Sequence, residues 1–198
     1  MTLEIAPLAP GLQSALLGFF EGPAFADNPK WAGCYCAFNY LDHKVVRWAE
    51  RSGVENRATM CGLIDTGHAE GWLALRDGQV VGWLNAAPRA RYPGYAKGNA
   101  TDEHVGVASC FVIAPAARRQ GVARALLEAA IAGFAQRGFV ALEAWPNRIA
   151  ESAAAHYHGP LAMYLAAGFE IVRDAGDDKN DDLIAVRKTL ATSPTHRV

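Results

Sequence analysis

The sequence predicts an α/β (α+β) fold in which a mixed central sheet, flanked by helices, contains one parallel pair of strands. Three observations carry this reading. Asp77-Gly78, set between two apolar runs, is a two-residue connection that favours a type I′ turn, so Gly71 to Arg76 and Gln79 to Ala87 form an antiparallel hairpin. His104 to Ile113 and Phe139 to Trp145 are apolar runs joined through a helical segment. Such a crossover makes two strands parallel and leaves the connecting turn at the carboxyl end of the first. The chain of 198 residues is 51% hydrophobic and 20% charged, enough to bury one core without disulfides or metals. A single domain over residues 1–190 follows, with 191–198 as a flexible, frayed tail.

The elements follow in order. Leu3 to Pro7 is the first strand and Pro10 to Glu21 a helix, with Leu12, Leu16, Leu17 and Phe20 at helical spacing. The two prolines of Gly22 to Lys30 make a loop, and the aromatic-rich Trp31 to Tyr40 reads as an extended segment. Helices are expected over Lys44 to Arg51 and Glu55 to Asp65; the second turns Ala58, Cys61, Gly62 and Leu63 to one side and stops at Gly67. After the hairpin, Arg89 to Glu103 is a long polar loop, of a length that is commonly functional or mobile. His104 to Ile113 is then a buried strand. Val122, Leu126, Leu127, Ala130, Ile131 and Phe134 give the next helix its apolar face, and Gly138 takes the C-terminal cap. Beyond the strand Phe139 to Trp145, Pro146 to His158 carries no regular pattern, and Pro160 suits the first turn of a short helix to Ala167. Phe169 to Arg173 and Leu183 to Leu190 are the last strands. Asp174, Asp177, Asp178, Asp181 and Asp182 form a solvated turn between them.

Composition narrows the partners. A formal net charge of −1 offers no basic excess for nucleic acid or an anionic membrane surface. No apolar run reaches the roughly 18 residues of a membrane span, and Met1 to Pro10 lacks the basic-then-apolar order of a signal segment. The expectation is a cytoplasmic protein with no nucleic-acid or membrane partner. Cys34, Cys36, Cys61 and Cys110 do not space like a secreted disulfide framework and are expected to be reduced. Cys34-x-Cys36 with His43 falls short of a structural zinc pattern, and no metal is expected.

The run from Ser109 to Leu127 is the most informative: an apolar strand, a stop at Pro115, the turn Arg118-Arg119-Gln120-Gly121-Val122-Ala123, and a helix. The first N–H groups of a helix have no intrahelical partner and sit at the positive end of its dipole, so they suit a phosphate. Gly121 and Ala123 leave room for it to approach, and Arg118 and Arg119 add cations. Farther on stands Tyr164-Leu165-Ala166-Ala167-Gly168-Phe169. The two segments together resemble the GNAT superfamily of acetyl-CoA-dependent N-acetyltransferases. Its cofactor motif is Arg or Gln, two variable residues, Gly, one variable residue, then Gly or Ala; a Tyr-x-x-x-Gly-Phe follows later. The order of elements over about residues 3 to 190 resembles the GNAT fold as well. Trp31 to Tyr40, Glu55-Asn56-Arg57 and Trp83 to Pro88 resemble a little-characterised bacterial branch of it, a likeness that names no substrate.

The resemblance implies an acyltransferase that moves an acetyl group from acetyl-CoA to a primary amine by direct attack, with a cofactor-binding core over about 104–170. It gives the backbone of Phe111, Val112 and Ile113 to the pantetheine arm. Arg118, Arg119, Gln120, Gly121, Val122, Ala123 and Arg124 go to the pyrophosphate, and Asn147 to a further coenzyme contact. It also makes Tyr164 the proton donor to the leaving thiolate; a phenol near pKa 10 facing a thiol near 8.5 is at worst a modestly uphill donor. Glu103, His104 and Glu143 stand as alternative bases for the amine proton. Trp31, Tyr35 and Trp83, with Tyr40 and Tyr92, are candidates for an aromatic wall that suits an apolar or cationic amine. His156 and His158 either reach the substrate or are simply exposed. A small-molecule amine is the expected acceptor. A peptide or protein acceptor is an alternative, as is a non-catalytic acetyl-CoA-binding sensor or docking module, and a homodimer is open. Cys110, inside a strand, reads as a small hydrophobe rather than an acyl-carrying nucleophile, and the absence of Gly-x-Gly-x-x-Gly counts against a dinucleotide.

Overall fold

A computed structural model of the chain describes residues 2–148, 154–173 and 183–191. Its strands are β1 (Leu3–Pro7), β2 (Gly71–Arg76), β3 (Gln79–Pro88), β4 (Val105–Ile113), β5 (Ala141–Ala144), β6 (Glu170–Arg173) and β7 (Ala185–Thr189). They form one sheet in the order β1-β2-β3-β4-β5-β7-β6, antiparallel everywhere except between β4 and β5. Asp77 (φ 52°) and Gly78 (φ 78°) are both left-handed, the requirement of the type I′ hairpin expected between β2 and β3.

The helices are α1 (Gln13–Glu21), α2 (Gly53–Asp65), α3 (Val122–Gln136) and α4 (Leu161–Ala166). The crossover helix α3 buries Val122, Leu126, Leu127, Ala130 and Phe134 and packs on β2, β3 and β4. A side chain at Gly82 would meet Val122 at 2.8 Å, so glycine there lets α3 settle onto β3. The adjacent Trp83, on the opposite face by strand alternation, is fully buried beside Cys36 of the N-terminal segment.

Several expectations are corrected in detail. Pro10–Leu12 is a turn of 3₁₀ helix ahead of α1. Trp31 to Tyr40 is not extended: it forms 3₁₀ turns at Pro29–Cys34 and Phe38–Tyr40, separated by left-handed Tyr35 and Cys36. Of the helix expected over Lys44 to Arg51, only the turn Trp48–Glu50 forms, since Arg47, Trp48 and Glu50 offer no apolar stripe to bury. The helix α2 begins earlier, at Gly53, behind a capping box in which Ser52 and Glu55 satisfy each other's backbone N–H groups. Its buried residues are Asn56, Met60 and Ile64 rather than the face expected. Pro160 is the N-cap of α4, just outside its first turn. The acidic turn from Asp174 to Asp182 lies outside the described residues, as does the tail beyond Ala191. Among the described residues no helix is long and apolar enough to cross a membrane.

Candidate functional site

The central strands run together for only four pairs, Val105↔Ala141 to Ala108↔Ala144. Beyond Ala108, β4 continues to Ile113 with β3 as its partner, and its other edge, which β5 no longer pairs, is packed by the 3₁₀ turn Ala154–His158. The point of parting is marked by a bulge: Asn85 pairs with Cys110 and Ala86 with Ala108, so Ser109 is the extra residue. Bulges re-aim local groups; here the Ser109 hydroxyl donates to the Asn85 carbonyl at 3.1 Å.

His158 and Tyr164 pack beside that edge. His158 ends a 3₁₀ turn (Ala154–His158), and its Nδ1 lies 3.2 Å from the Ser109 carbonyl oxygen, which requires the proton on that nitrogen. Burial pushes the imidazole down to about 4, with the Ser109 carbonyl working the other way. Tyr164, fully buried on α4, donates its hydroxyl to the His158 carbonyl oxygen at 2.8 Å. Burial, with smaller effects of Tyr95 and Cys110, holds this phenol protonated well above its ordinary range. Its ring meets Phe111 and Phe169 edge to face.

At the carboxyl end of β4 the chain turns through left-handed Arg119 (φ 59°) and Gly121 (φ 79°) into α3. No side chain caps this helix start, no acidic residue occupies its first turn, and nothing lies within 4 Å of where a Gly121 side chain would be. Gln120 braces the turn from behind: its Nε2 donates to the Ala116 carbonyl and its Oε1 accepts from Arg76. Arg118, expected as a phosphate cation, donates to the Ile113 carbonyl at 3.1 Å and pairs with Asp27. Arg124 pairs with Glu128 at 2.8 Å, and Arg119 is exposed. Asn147 prolongs the β5–β7 pairing as an isolated bridge to Leu183.

The three candidate bases stand elsewhere. Glu103 and His104 are exposed at the amino end of β4. At the rise of an extended chain His104 is about 16 Å along the strand from Ser109. Glu143 is buried and bound by two guanidinium groups, those of Arg89 at 3.0 Å and of Arg187. Arg89, itself 1% exposed, also reaches Asp102 at 2.6 Å and Thr101 at 2.8 Å. Burial alone would raise Asp102, but Arg89 and the backbone N–H groups of Lys97 and Asn99 hold it below the usual carboxylate range.

The aromatic wall needs correction too. Trp83 has no exposed surface, and its Nε1 is the one buried side-chain polar atom without a hydrogen-bond partner among the described residues. Tyr35 packs on Phe20 and donates to Glu21, so it belongs to the α1 side of the core. Tyr40 and Tyr92 both donate to Asn85 Oδ1 at 2.8 Å inside the core. Trp31, 37% exposed, is the expected residue that does face outward, set edge-on against Tyr157 at 5.5 Å. Tyr157 in turn stacks on His158 at 4.1 Å, while Tyr95 lies 4.5 Å from Trp145. Cys110 comes close enough to perturb Cys34, Tyr95, Tyr157 and Tyr164, and its sulfur is 3.7 Å from that of Cys36. All four cysteines are free thiols, and no group of three or more His, Cys, Asp or Glu among the described residues is placed to hold a metal ion.

Tyr95, Trp145 and Tyr157 thus gather near Cys110 and His158 although the sequence did not single them out as a wall, and His158 gains partners it did not suggest. Trp145 had a signal, since it shares a face with Glu143 on the strand next to the motif; Tyr157 and His158 sit where the pattern is irregular. A separate cleft of about 240 Å³, lined by Pro7, Ile64, Glu70, Trp72 and Arg137, lies at the β1–β2 edge, away from these residues.

The model of the acetyltransferase (GNAT) family matches residues 38–159, more than half of the chain. No curated protein matches it in sequence. Among solved structures, a GNAT-family acetyltransferase from Streptococcus pneumoniae is similar, with 19% identity, a TM-score of 0.58, and coverage of 96% of this chain and all of the other. The PaiA N-acetyltransferase of Thermoplasma acidophilum, in complex with coenzyme A, has 14% identity and a TM-score of 0.57, covering 96% and 99%. The ribosomal-protein-alanine N-acetyltransferase of Brucella melitensis has 21% identity and a TM-score of 0.54, covering 96% and 100%.

Proposed function

Because this chain belongs to the acetyltransferase (GNAT) family and is therefore an acyltransferase, we propose that it carries an acetyl group from acetyl-CoA to a primary amine of a small molecule by direct attack. The observation that carries the reading is the arrangement along β4: the uncapped start of α3 beyond its carboxyl end, the edge from Ser109 to Ile113 that β5 does not pair, and Tyr164 packed beside Phe111.

The residues fit the cosubstrate. A pyrophosphate at the start of α3 meets the N–H groups of Val122, Ala123 and Arg124 with open space over Gly121, and Arg119 adds a cation. The backbone groups of Phe111 to Ile113 that β5 does not pair are suited to the amides of an extended pantetheine arm. Tyr164 then lies beside the departing sulfur and supplies its proton. Glu103 and His104 stand at the amino end of β4 and Glu143 is engaged by two arginines, so in this reading the amine attacks as its free base and its proton leaves to water. Trp31, Tyr157, Tyr95 and Trp145 form the wall on the acceptor side, a compact aromatic surface that favours a small amine over a long chain.

Calorimetry with acetyl-CoA tests the first step: saturable binding is expected, lost in Gly121→Glu through clash and charge. Equal affinity in the folded variant overturns the reading. Thiol release from acetyl-CoA against small amines and peptides tests the acceptor, and turnover confined to peptides removes the small-molecule assignment.

A further inference from the structure

We propose that His158 is a positioning residue for Tyr164, fixing the phenolic hydroxyl relative to the open edge of β4; this rests on the reading of Tyr164 as the acid. Ser109 is the first residue past the last β4–β5 pair, and it is 1% exposed. A buried carbonyl that has lost its strand partner is costly unless another donor reaches it. His158 Nδ1–H is that donor, and the carbonyl oxygen of the same residue accepts the Tyr164 hydroxyl. A single residue therefore spans the gap between the strand edge and the acid.

The next residue shows how tightly this span is built. Gly159 is left-handed (φ 81°), and a side chain there would stand 3.0 Å from Met163 Cε, 3.1 Å from Tyr164 Cε2 and 3.2 Å from Phe111 Cε2. A side chain at this point would be strained by the left-handed backbone and would press on all three neighbours, and the turn leaves the His158 carbonyl at hydrogen-bond distance from the Tyr164 hydroxyl. Phe111 and Phe169 fix the plane of the Tyr164 ring but not the torsion of its O–H, which a hydrogen-bond acceptor must set. A carbonyl can only accept, so it fixes the direction of the O–H in the protonated phenol; passing that proton to the less basic thiolate is an uphill step that this hydrogen bond orients rather than drives. Tyr157, Tyr95 and Cys110 are the titratable groups that face this pair; burial, with smaller effects of Tyr95 and Cys110, keeps the phenol protonated, and the carbonyl directs its O–H.

The test is a double-mutant cycle on the full chain. His158→Leu is expected to lower kcat about tenfold while leaving acetyl-CoA affinity within about twofold, since it acts on the proton and not on the phosphate turn. His158→Asn, whose side-chain amide can donate to the Ser109 carbonyl, is expected to restore most of the rate. In the Tyr164→Phe background His158→Leu is expected to add no further loss. Additive losses, or a leucine variant that melts earlier yet turns over at the wild-type rate well below its Tm, overturn the proposal. A Tyr164→Phe variant that itself keeps the wild-type rate overturns the acid reading, a result distinct from additivity. If the leucine variant does not fold, His158→Gln, which keeps an amide N–H but displaces it, enters the same cycle with the same two outcomes.

Discussion

Glu143 shares its carboxylate between two arginines, accepting from Arg89 Nη1 at 3.0 Å through Oε2 and from Arg187 through Oε1. Since Arg89 also holds Asp102, one buried guanidinium ties the end of β3, the loop before β4 and the strand β5 into a single joint. A carboxylate so engaged serves to hold the sheet together.

Removing that guanidinium leaves the buried Asp102 without its cation and Glu143 with Arg187 alone. Arg89→Met is expected to cost about 3–5 kcal/mol, the range seen when one partner of a buried ion pair is deleted. Urea unfolding measures it, and a loss near the 0–1 kcal/mol of an exposed pair contradicts the burial argument.

Tyr164→Phe keeps the ring and removes the donor. The rate is expected to fall by about a hundredfold, the lower end for general acid catalysis because a thiolate leaves tolerably well unprotonated. Stability is expected to fall by about 1 kcal/mol as the His158 carbonyl loses its partner, while calorimetric acetyl-CoA affinity is unchanged. Because burial keeps the phenol protonated beyond pH 10, the loss should be present throughout pH 6 to 10, and a wild-type rate across that range argues against the role.

Acid should weaken the fold through His158. Its imidazole titrates at about 4 in the folded chain and near 6.5 when unfolded, so between these values the unfolded state binds the extra proton. Stability is therefore full above about pH 6.5 and declines as pH falls to about 4, by on the order of 3 kcal/mol. Asp102, held below its unfolded value, adds a loss in the same direction at still lower pH. Thermal melts across pH 4 to 7 should show this slope, and His158→Asn should flatten its upper part.

Two left-handed glycines give a graded comparison. Gly121→Ala meets open space and should cost only the 1–2 kcal/mol of a side chain in left-handed backbone. Gly159→Ala carries the same backbone strain plus three contacts at 3.0–3.2 Å and should cost more. It should also slow acetyl transfer, because those contacts press on Tyr164. Denaturation of both variants with parallel rate measurements checks the order, and equal costs contradict it.

The parts of the fold written in local chemistry were legible. Asp77-Gly78 specified its turn through the φ values it tolerates, and the apolar stripe of α3 and the strands on either side of it announced the parallel pair. Trp31 to Tyr40 misled because aromatic residues favour strands in general, whereas Pro29 and the left-handed Tyr35 and Cys36 coil this segment. The buried side of α2 was hidden because one of its members is Asn56, satisfied by Arg51 and by the Gly33 carbonyl, and an amide gives no apolar signal. In the site, the phosphate turn and Tyr164 carried recognisable spacing. An aromatic residue in a sequence does not say whether it lines a pocket or fills a core, and Trp83, Tyr35, Tyr40 and Tyr92 fill the core. His158 was unreadable as a support because its partners, Ser109 and Tyr164, meet only after β4 and β5 have parted.

The four-pair seam between β4 and β5 has a thermodynamic corollary. Strands β1 to β4 form one half of the sheet and β5, β7 and β6 the other, joined at that seam. On the proposed reading, a coenzyme bound along the unpaired edge of β4 and beside Tyr164 of α4 would act as a clasp whose binding energy opposes their separation. Its concentration therefore sets the protein's resistance to unfolding, by RT ln(1 + [L]/Kd), or about 2.7 kcal/mol at a hundredfold excess over Kd. The protein would then be sturdiest when its acetyl donor is plentiful and most exposed to proteolysis when the donor runs out.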